Sequence, residues 1–306
     1  MRWVKKGLIY KADAHRSHWA YDHALTPTPI LLSDKVIRVY FGARDQAGTS
    51  RIRFVDLNAY HPKEILRVAE SPALDIGEPG AFDDNGVILG DIQSINGLLY
   101  MFYIGFQLVN QVKFLAFTGL AQSIDQGTSF KRVCRTPILD RSDEGLYIRA
   151  IHTALFENGI WKIWYAAGNA WVKMNNKFYP SYEIKYLESS DLFCLPKTGT
   201  MCIQNQNFEY RIGRPRVYKK SDGYCIYYTK GETNGSYLPG FATSQDGISW
   251  RRQDHLTGIT TAEHDSWDSE TLCYPSLITV FGKTYMFYNG NSMGKDGFGY
   301  AEHVLN

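Results

Sequence analysis

Several things are missing from this 306-residue chain, and each absence removes a class of function. No stretch approaches the roughly 18 uninterrupted apolar residues of a membrane-spanning helix, so no membrane partner is expected. Lys and Arg total 33 against 31 Asp and Glu, a formal net charge of +2. That balance lacks the electrostatic footprint of a DNA-, RNA- or anionic-lipid-binding surface. The five cysteines (Cys134, Cys194, Cys202, Cys225, Cys273) are odd in number and form no Cys-x-x-Cys pair, which argues against a disulfide framework or zinc site. Reduced thiols and a cytoplasmic location are the expectation. The charged start Met1-Arg-Trp-Val-Lys-Lys is broken by Gly7-Leu-Ile-Tyr-Lys-Ala-Asp before any signal core develops. Phosphate-cradling glycine loops are lacking too, since Gly294-Lys-Asp-Gly297-Phe-Gly299 reads as a hairpin turn. No His-x-x-x-His or Cys/His pattern marks a metal, so no cofactor is indicated; a calcium ion at a channel centre is left open. A sustained 3.6-residue apolar period is also absent, excluding helical solenoids.

What the chain does have is aromatic residues: 21 Tyr, 16 Phe and 7 Trp make up 14% of it, alongside 27 Gly. This composition leans to β structure. The aromatics recur in five short strings: Val39-Tyr-Phe41-Gly, Met101-Phe-Tyr103-Ile-Gly, Ile163-Trp-Tyr165-Ala, Ile226-Tyr-Tyr228-Thr and Met286-Phe-Tyr288-Asn-Gly. Their third residues, 41, 103, 165, 228 and 288, are separated by 62, 62, 63 and 60 positions. A turn signal precedes each string: Ser33-Asp-Lys35, Asn96-Gly97, Asn158-Gly159, Asp222-Gly223 or Gly282-Lys283. Another apolar strand precedes each turn, and a third follows the aromatic one. Four of these third strands end in elements such as Gly119-Leu-Ala-Gln-Ser123 and Gly240-Phe-Ala-Thr-Ser244. A repeat of about 60 residues with four antiparallel strands has the size of one propeller blade. The chain is therefore read as all-β, a single five-bladed β-propeller domain over residues 1–306 with four-stranded antiparallel blades. The last repeat runs out after three strands, so a strand around Leu8–Ala12 is expected to complete it. A two-sheet sandwich would not produce the even spacing.

In a propeller the first strand of every blade lines the central channel. The blade starts read Asp22-His23-Ala-Leu-Thr26-Pro27, Phe82-Asp83-Asp84-Asn85-Gly86, Tyr147-Ile-Arg149-Ala-Ile-His152, Arg211-Ile-Gly-Arg214-Pro215-Arg216 and Asp268-Ser-Glu270-Thr-Leu-Cys-Tyr274-Pro275. Carboxylates come from blades one, two and five, and guanidinium groups from blades three and four. Buried charges need pairing, hydration or a ligand. Carboxylates with aromatics suit a saccharide, through acid chemistry at glycosidic oxygen and stacking on sugar faces.

These segments resemble the five-bladed propeller glycosidases, the invertase, levansucrase and arabinanase group that includes glycoside hydrolase family 43. Gly42-Ala-Arg44-Asp45, Pro79-Gly-Ala-Phe-Asp83-Asp84-Asn-Gly86, Arg214-Pro215, Trp267-Asp268-Ser-Glu270, Tyr274-Pro275 and Tyr288-Asn289-Gly-Asn291 are similar to a subgroup of predicted glycosidases from bacterial surface-polysaccharide loci. The resemblance spans essentially the whole chain. It implies one acid on each of the first three blades, acting as base or nucleophile, transition-state stabiliser and proton donor. The third blade departs from that pattern, with Arg149-Ala-Ile-His152 where a Glu donor is implied; Glu144 lies upstream on an apparent loop.

The expected catalytic acids are Asp84 and Glu270, with Asp22 third. Asp84 is preferred to its neighbour Asp83, which reads as a turn residue. Expected saccharide contacts are Arg44, Asp45, Arg149, His152, Arg214, Asp268, Tyr274 and Asn291. Arg44 and Asp45 read equally as a loop brace. His152 reads also as a satisfied histidine, and one of Arg149 and Arg216 as pointing into its blade. His18 and His23, in the 15–23 segment beside Asp22, are ambiguous. Asp268 and Glu270, two apart, are expected on one face of an extended strand. The expected function is hydrolysis of a glycosidic bond in a bacterial saccharide or sugar conjugate. The alternatives are a phosphorylase or transferase using an Arg/His anion site, and a noncatalytic sugar-binding propeller.

Overall fold

The computed structural model describes residues 2–12, 17–174, 176–263 and 265–304; His15 lies outside them. The chain forms β1 (Arg2–Tyr10), then β2 (Asp22–Ser33), β3 (Val36–Arg44), β4 (Ser50–Asn58) and β5 (Ile65–Val68). Next come β6 (Val87–Ile95), β7 (Leu98–Gln107), β8 (Leu115–Ser123) and β9 (Lys131–Arg132), followed by β10 (Ile148–Glu157), β11 (Ile160–Met174), β12 (Lys177–Ser189) and β13 (Thr200–Ile203). The series ends with β14 (Glu209–Lys220), β15 (Gly223–Glu232), β16 (Tyr237–Ser244) and β17 (Arg251–Arg252), then β18 (Cys273–Val280), β19 (Lys283–Asn289) and β20 (Phe298–Val304). The fold is all-β.

Tight turns join the first and second strands of successive groups. Asn96-Gly97 and Asn158-Gly159 both have positive φ at each residue, the geometry that suits a right-twisted hairpin. In the last group that geometry falls on Phe281-Gly282, one residue earlier than the sequence signal indicates.

Strands β2 to β5 form one four-stranded antiparallel sheet, and β18, β19, β20 and β1 form another. The N-terminal strand does pair with β20, but it begins at Arg2 rather than near Leu8. The other twelve strands form one sheet instead of three separate ones. Short parallel pairings join its antiparallel groups: Ile148 and Arg149 pair with Ala116 and Phe117, and Tyr182 pairs with Arg211. Neighbouring groups approach closely enough at the starts of β10 and β14 to bond edge to edge.

The aromatic strings lie on β3, β7, β11, β15 and β19, and their paired rings are fully buried. Successive residues of a strand face opposite ways, so each string supplies two different cores. Tyr40 packs with Tyr103, Phe102 with Tyr165, Trp164 with Tyr228, Tyr227 with Tyr288, and Phe287 with Phe41. These five cores follow one another in a closed cycle. The first strands β2, β6, β10, β14 and β18 likewise contact one another in cyclic order.

Each first strand carries a register shift at an equivalent place: Leu25/Thr28, Leu89/Asp91, Ile151/Thr153, Gly213/Arg216 and Cys273/Ser276. Thr26, Arg214 and Tyr274 have positive φ there, and each precedes a proline. A bulge adds a residue and turns the following side chains to new directions. Residues 26, 90, 152, 214 and 274 thus mark one level of the ring.

Candidate functional site

At that level the ring is filled by charged groups from different strands. Arg216 donates to Asp91 Oδ1 at 2.8 Å and to the carbonyls of Gly90 and His152 at 3.2 and 2.9 Å. Asp91 also accepts the Ala154 N–H at 2.9 Å. Arg214 reaches from β14 to β6, donating to the Leu89 carbonyl at 2.5 Å. Arg216–Asp91 is a buried pair with its charges satisfied. His152 and Arg214 are only 5% and 7% exposed, and His152 Nδ1 and Arg214 Nε have no hydrogen-bond partner among the described residues. Burial, then Arg214 and Arg216, hold the His152 pKa well below the usual histidine value, so its ring is neutral near pH 7. Burial beside Arg216 lowers the Arg214 guanidinium to about 10.

Next to this level stands a wall of tyrosines around Arg211. The Arg211 guanidinium carbon lies 4.2 Å from the Tyr237 ring centre and 5.0 Å from that of Tyr210. Arg214 lies 5.5 Å from the Tyr274 ring, and the Tyr237 and Tyr274 hydroxyls are 3.1 Å apart. Tyr182 packs on Gly213, where a Cβ would sit 2.5 Å from its ring. Gly231 leaves room for Arg211 in the same way, a Cβ there coming within 2.7 Å of Arg211 Nε. Beyond Gly168, the pairing partner of Ile148 at the start of β10, the hairpin of β11 and β12 continues. This overhang carries Trp171, packed edge-on to Phe114 and Tyr147, and Tyr179, edge-on to Tyr210. Sequence reasoning does not single out Arg211; the signal for it is an Arg with glycines at 213 and, across the pairing, at 231.

The acids Asp22 and Asp84 stand at the start of β2 and just before β6. Asp22 opens β2 and accepts from His23 Nδ1 at 2.5 Å, while His23 Nε2 lies 3.4 Å from Arg44 Nη1. Burial and Arg44 lower the His23 pKa, and the Asp22 hydrogen bond opposes them. Asp84 lies in the turn before β6. Its Oδ2 accepts the Gly80 N–H at 2.8 Å, and its Oδ1 is buried with no partner among the described residues. The following Gly86 packs on Ser50, the strand partner of Arg44. Asp83 instead pairs with Arg132 at 2.7 Å and is fully buried.

Several expected site residues have other work. Arg149 turns away to Glu144, at 2.9 Å, and to the Asp140 and Pro196 carbonyls. Glu144 also accepts from Tyr165 at 2.5 Å, Lys185 at 2.9 Å and the Gly199 N–H at 2.9 Å, so it is consumed in this brace. Asp45 caps its own loop through the Ala47 and Thr49 N–H groups and pairs with Arg51 at 2.9 Å. Asp268 and Glu270 do not share a strand face: both precede β18 in a turn, with Asp268 buried and Glu270 exposed. Lys5 and Tyr288 bind Asp268 at 2.7 and 2.9 Å. Asn291 accepts the N–H groups of Glu270 and Thr271 and donates to Ser266, which shapes that turn. Its amide bonds are internal to the turn. Tyr274 and Arg214 remain at the centre. Among the described residues no group of three His, Cys, Asp or Glu side chains is placed to hold a metal, and no helix is long and apolar enough to cross a membrane. All five cysteines are unbridged.

No family model matches the chain. An uncharacterized protein of Mycobacterium tuberculosis strain H37Rv, Rv1502, is 28% identical over 303 residues, covering 98% of this chain and 99% of that protein. The fold is similar to that of BT0996 in an RGII complex, with a TM-score of 0.77, 18% identity and coverage of 99% of this protein and 92% of that one. It is also similar to a thermostable family-43 glycoside hydrolase, with a TM-score of 0.68, 15% identity and coverage of 97% and 94%. A third similar structure comes from the GH130 family of mannoside phosphorylases, which contains glycoside hydrolases that target β-1,2 mannosidic linkages in Candida mannan; its TM-score is 0.69 at 12% identity, with coverage of 98% and 93%.

Proposed function

On a chain with the fold of the glycosidase-like propeller superfamily, we propose a single five-bladed propeller domain that hydrolyses a glycosidic bond in a saccharide or sugar conjugate. Its blades are the five antiparallel strand groups, the last completed by β1. The reading rests on one observation above the others: Asp84 presents a buried carboxylate oxygen with no partner among the described residues. A charged oxygen left unpaired is costly unless a proton or a ligand group occupies it.

In this mechanism Asp84 is the acid that protonates the leaving glycosidic oxygen as the bond to the anomeric carbon breaks. A second carboxylate, Asp22 or Glu270, takes a proton from water as its oxygen attacks that carbon. His23 orients Asp22 through their 2.5 Å hydrogen bond. Arg214, His152 and Tyr274 bind the sugar.

A glycoside panel tests the reading. Asp84→Asn is expected to lower kcat about 10²–10⁴-fold with the fold intact. Unchanged turnover in that variant removes Asp84 from the chemistry. Turnover that depends on inorganic phosphate identifies a phosphorylase instead.

A further inference from the structure

Charge in the ring is not balanced locally. Several buried guanidinium groups of this chain face carboxylates: Arg38 pairs with Asp56, Arg216 with Asp91 and Arg149 with Glu144, while Arg53 is met by the Ala69 carbonyl and the Tyr10 hydroxyl. Arg211 and Arg214 pair with no carboxylate among the described residues. Arg214 has only the Leu89 carbonyl, and Arg211 is enclosed by rings. Arg211 Nε and Arg214 Nε, like Arg44 Nε and Arg149 Nε, are buried with no hydrogen-bond partner among the described residues.

The two groups also stand against one tyrosine cluster. Tyr237 lies against Arg211, Tyr274 lies against Arg214, and the two hydroxyls meet at 3.1 Å. Tyr182 covers Gly213 between the two arginines. Residues three apart in a regular strand face opposite ways, so Arg211 and Arg214 would diverge. The bulge between Gly213 and Arg216, with positive φ at Arg214, re-aims the second guanidinium. Tyr274 is held at positive φ as well. Such backbone is retained where its surroundings over-determine it, commonly at binding sites.

We propose that Arg211 and Arg214, with the hydroxyls of Tyr182, Tyr237 and Tyr274, form a subsite for an anionic group carried by the saccharide. The substrate is therefore an acidic sugar, bearing a carboxylate or a phosphate ester. A guanidinium fork binds either group through paired hydrogen bonds, and tyrosine faces cover the ring that carries it. This inference rests on the saccharide reading and names its substrate class.

Binding to the full chain, measured by calorimetry or ligand-observed NMR, tests it without requiring turnover. The probes are glucuronate, galacturonate and mannuronate, the neutral parent hexoses, their 6-phosphates, and inorganic phosphate. At least one anionic sugar is expected to bind tenfold or more tighter than its neutral parent. Preference for the uronate or for the 6-phosphate identifies the source of the charge. Arg211→Met is expected to abolish that preference while leaving the melting temperature unchanged or higher, because it removes an unpaired buried cation. Equal binding of charged and neutral sugars overturns the anionic subsite but leaves the saccharide reading standing. Binding of no sugar overturns both. Inorganic phosphate binding as tightly as any sugar anion overturns the saccharide-borne charge. An Arg211→Met variant that loses stability yet keeps the preference shows a structural arginine and also overturns the proposal.

Discussion

Asp83 and Asp84 are adjacent, and their surroundings divide their roles. Asp83 accepts a 2.7 Å bond from Arg132 and is fully buried, whereas Asp84 has one oxygen on a backbone N–H and one with no partner among the described residues. Asp83→Asn is expected to cost about 2–3 kcal/mol in denaturant unfolding, since it weakens a charge-assisted bond to a partly exposed arginine. Asp84→Asn is expected to be neutral or stabilising in the same measurement. Equal stability losses would contradict the division. His152 sets a second expectation at this scale. Its folded pKa lies below the ordinary 6.5, so the unfolded chain binds the proton more readily. Stability is therefore full above about pH 6.5 and falls as pH drops below it. Glu144 acts in a lower window. Burial works against its charge, but Tyr165, the Gly199 N–H and Lys185 hold its pKa down. That contribution is present above the usual carboxylate range and is lost as pH falls through it. Unfolding measured from pH 8 to 3 should show both parts, and His152→Gln should flatten the part that begins below about pH 6.5. An unaltered profile would exclude His152 as its cause.

At the scale of elements, the first strands are shaped by their bulges more than by strand alternation. Gly90 shows why the second of them is a glycine. A Cβ there would come within 2.1 Å of the Ile151 carbonyl and 2.7 Å of the Phe102 carbonyl, both backbone atoms that cannot rotate away. Gly90→Ala is expected to destabilise by about 1–3 kcal/mol and to weaken sugar binding, by pushing β6 away from β10. A melting curve superimposable on that of the parent would refute this packing account. The same bulges explain which site residues are legible in the sequence. Arg214, His152 and Tyr274 stand at the repeated position and are readable from the repeat. Arg149 stands three residues before His152, and its actual partners, Glu144 and the Asp140 and Pro196 carbonyls, lie in loops whose paths no spacing encodes. Asp268 and Glu270 mislead because their spacing suggests an extended strand where Asn291 holds a turn.

For the whole molecule, β1 joins the start of the chain to its end. It pairs with β20 from Arg2↔Val304 to Tyr10↔Phe298, and Lys5 bonds the buried Asp268. Tyr10 also packs against Phe41 and Phe298, within the core between the last group and the first. Deleting residues 1–11 would expose the edge of β20 and leave Asp268 without Lys5. The expected result is a large fall in melting temperature with loss of cooperativity, followed by calorimetry. A truncated chain that melts like the parent would show that the ring closes without this strand.

The sequence by itself determined the β class, the repeat of about 60 residues and the strings that fill the cores, because hairpins and alternating burial are local consequences of residue order. It also marked the polar starts of the first strands. Only the tertiary structure decided which of those polar groups are spent on one another. Arg149, Asp45, Asp268 and Asn291 found charged or polar internal partners, while among the described residues Arg211 and Arg214 face no carboxylate and one oxygen of Asp84 accepts no hydrogen bond. Charge compensation depends on distances of a few ångströms between segments far apart in the chain, and a bulge of one residue is enough to redirect a side chain from one partner to another.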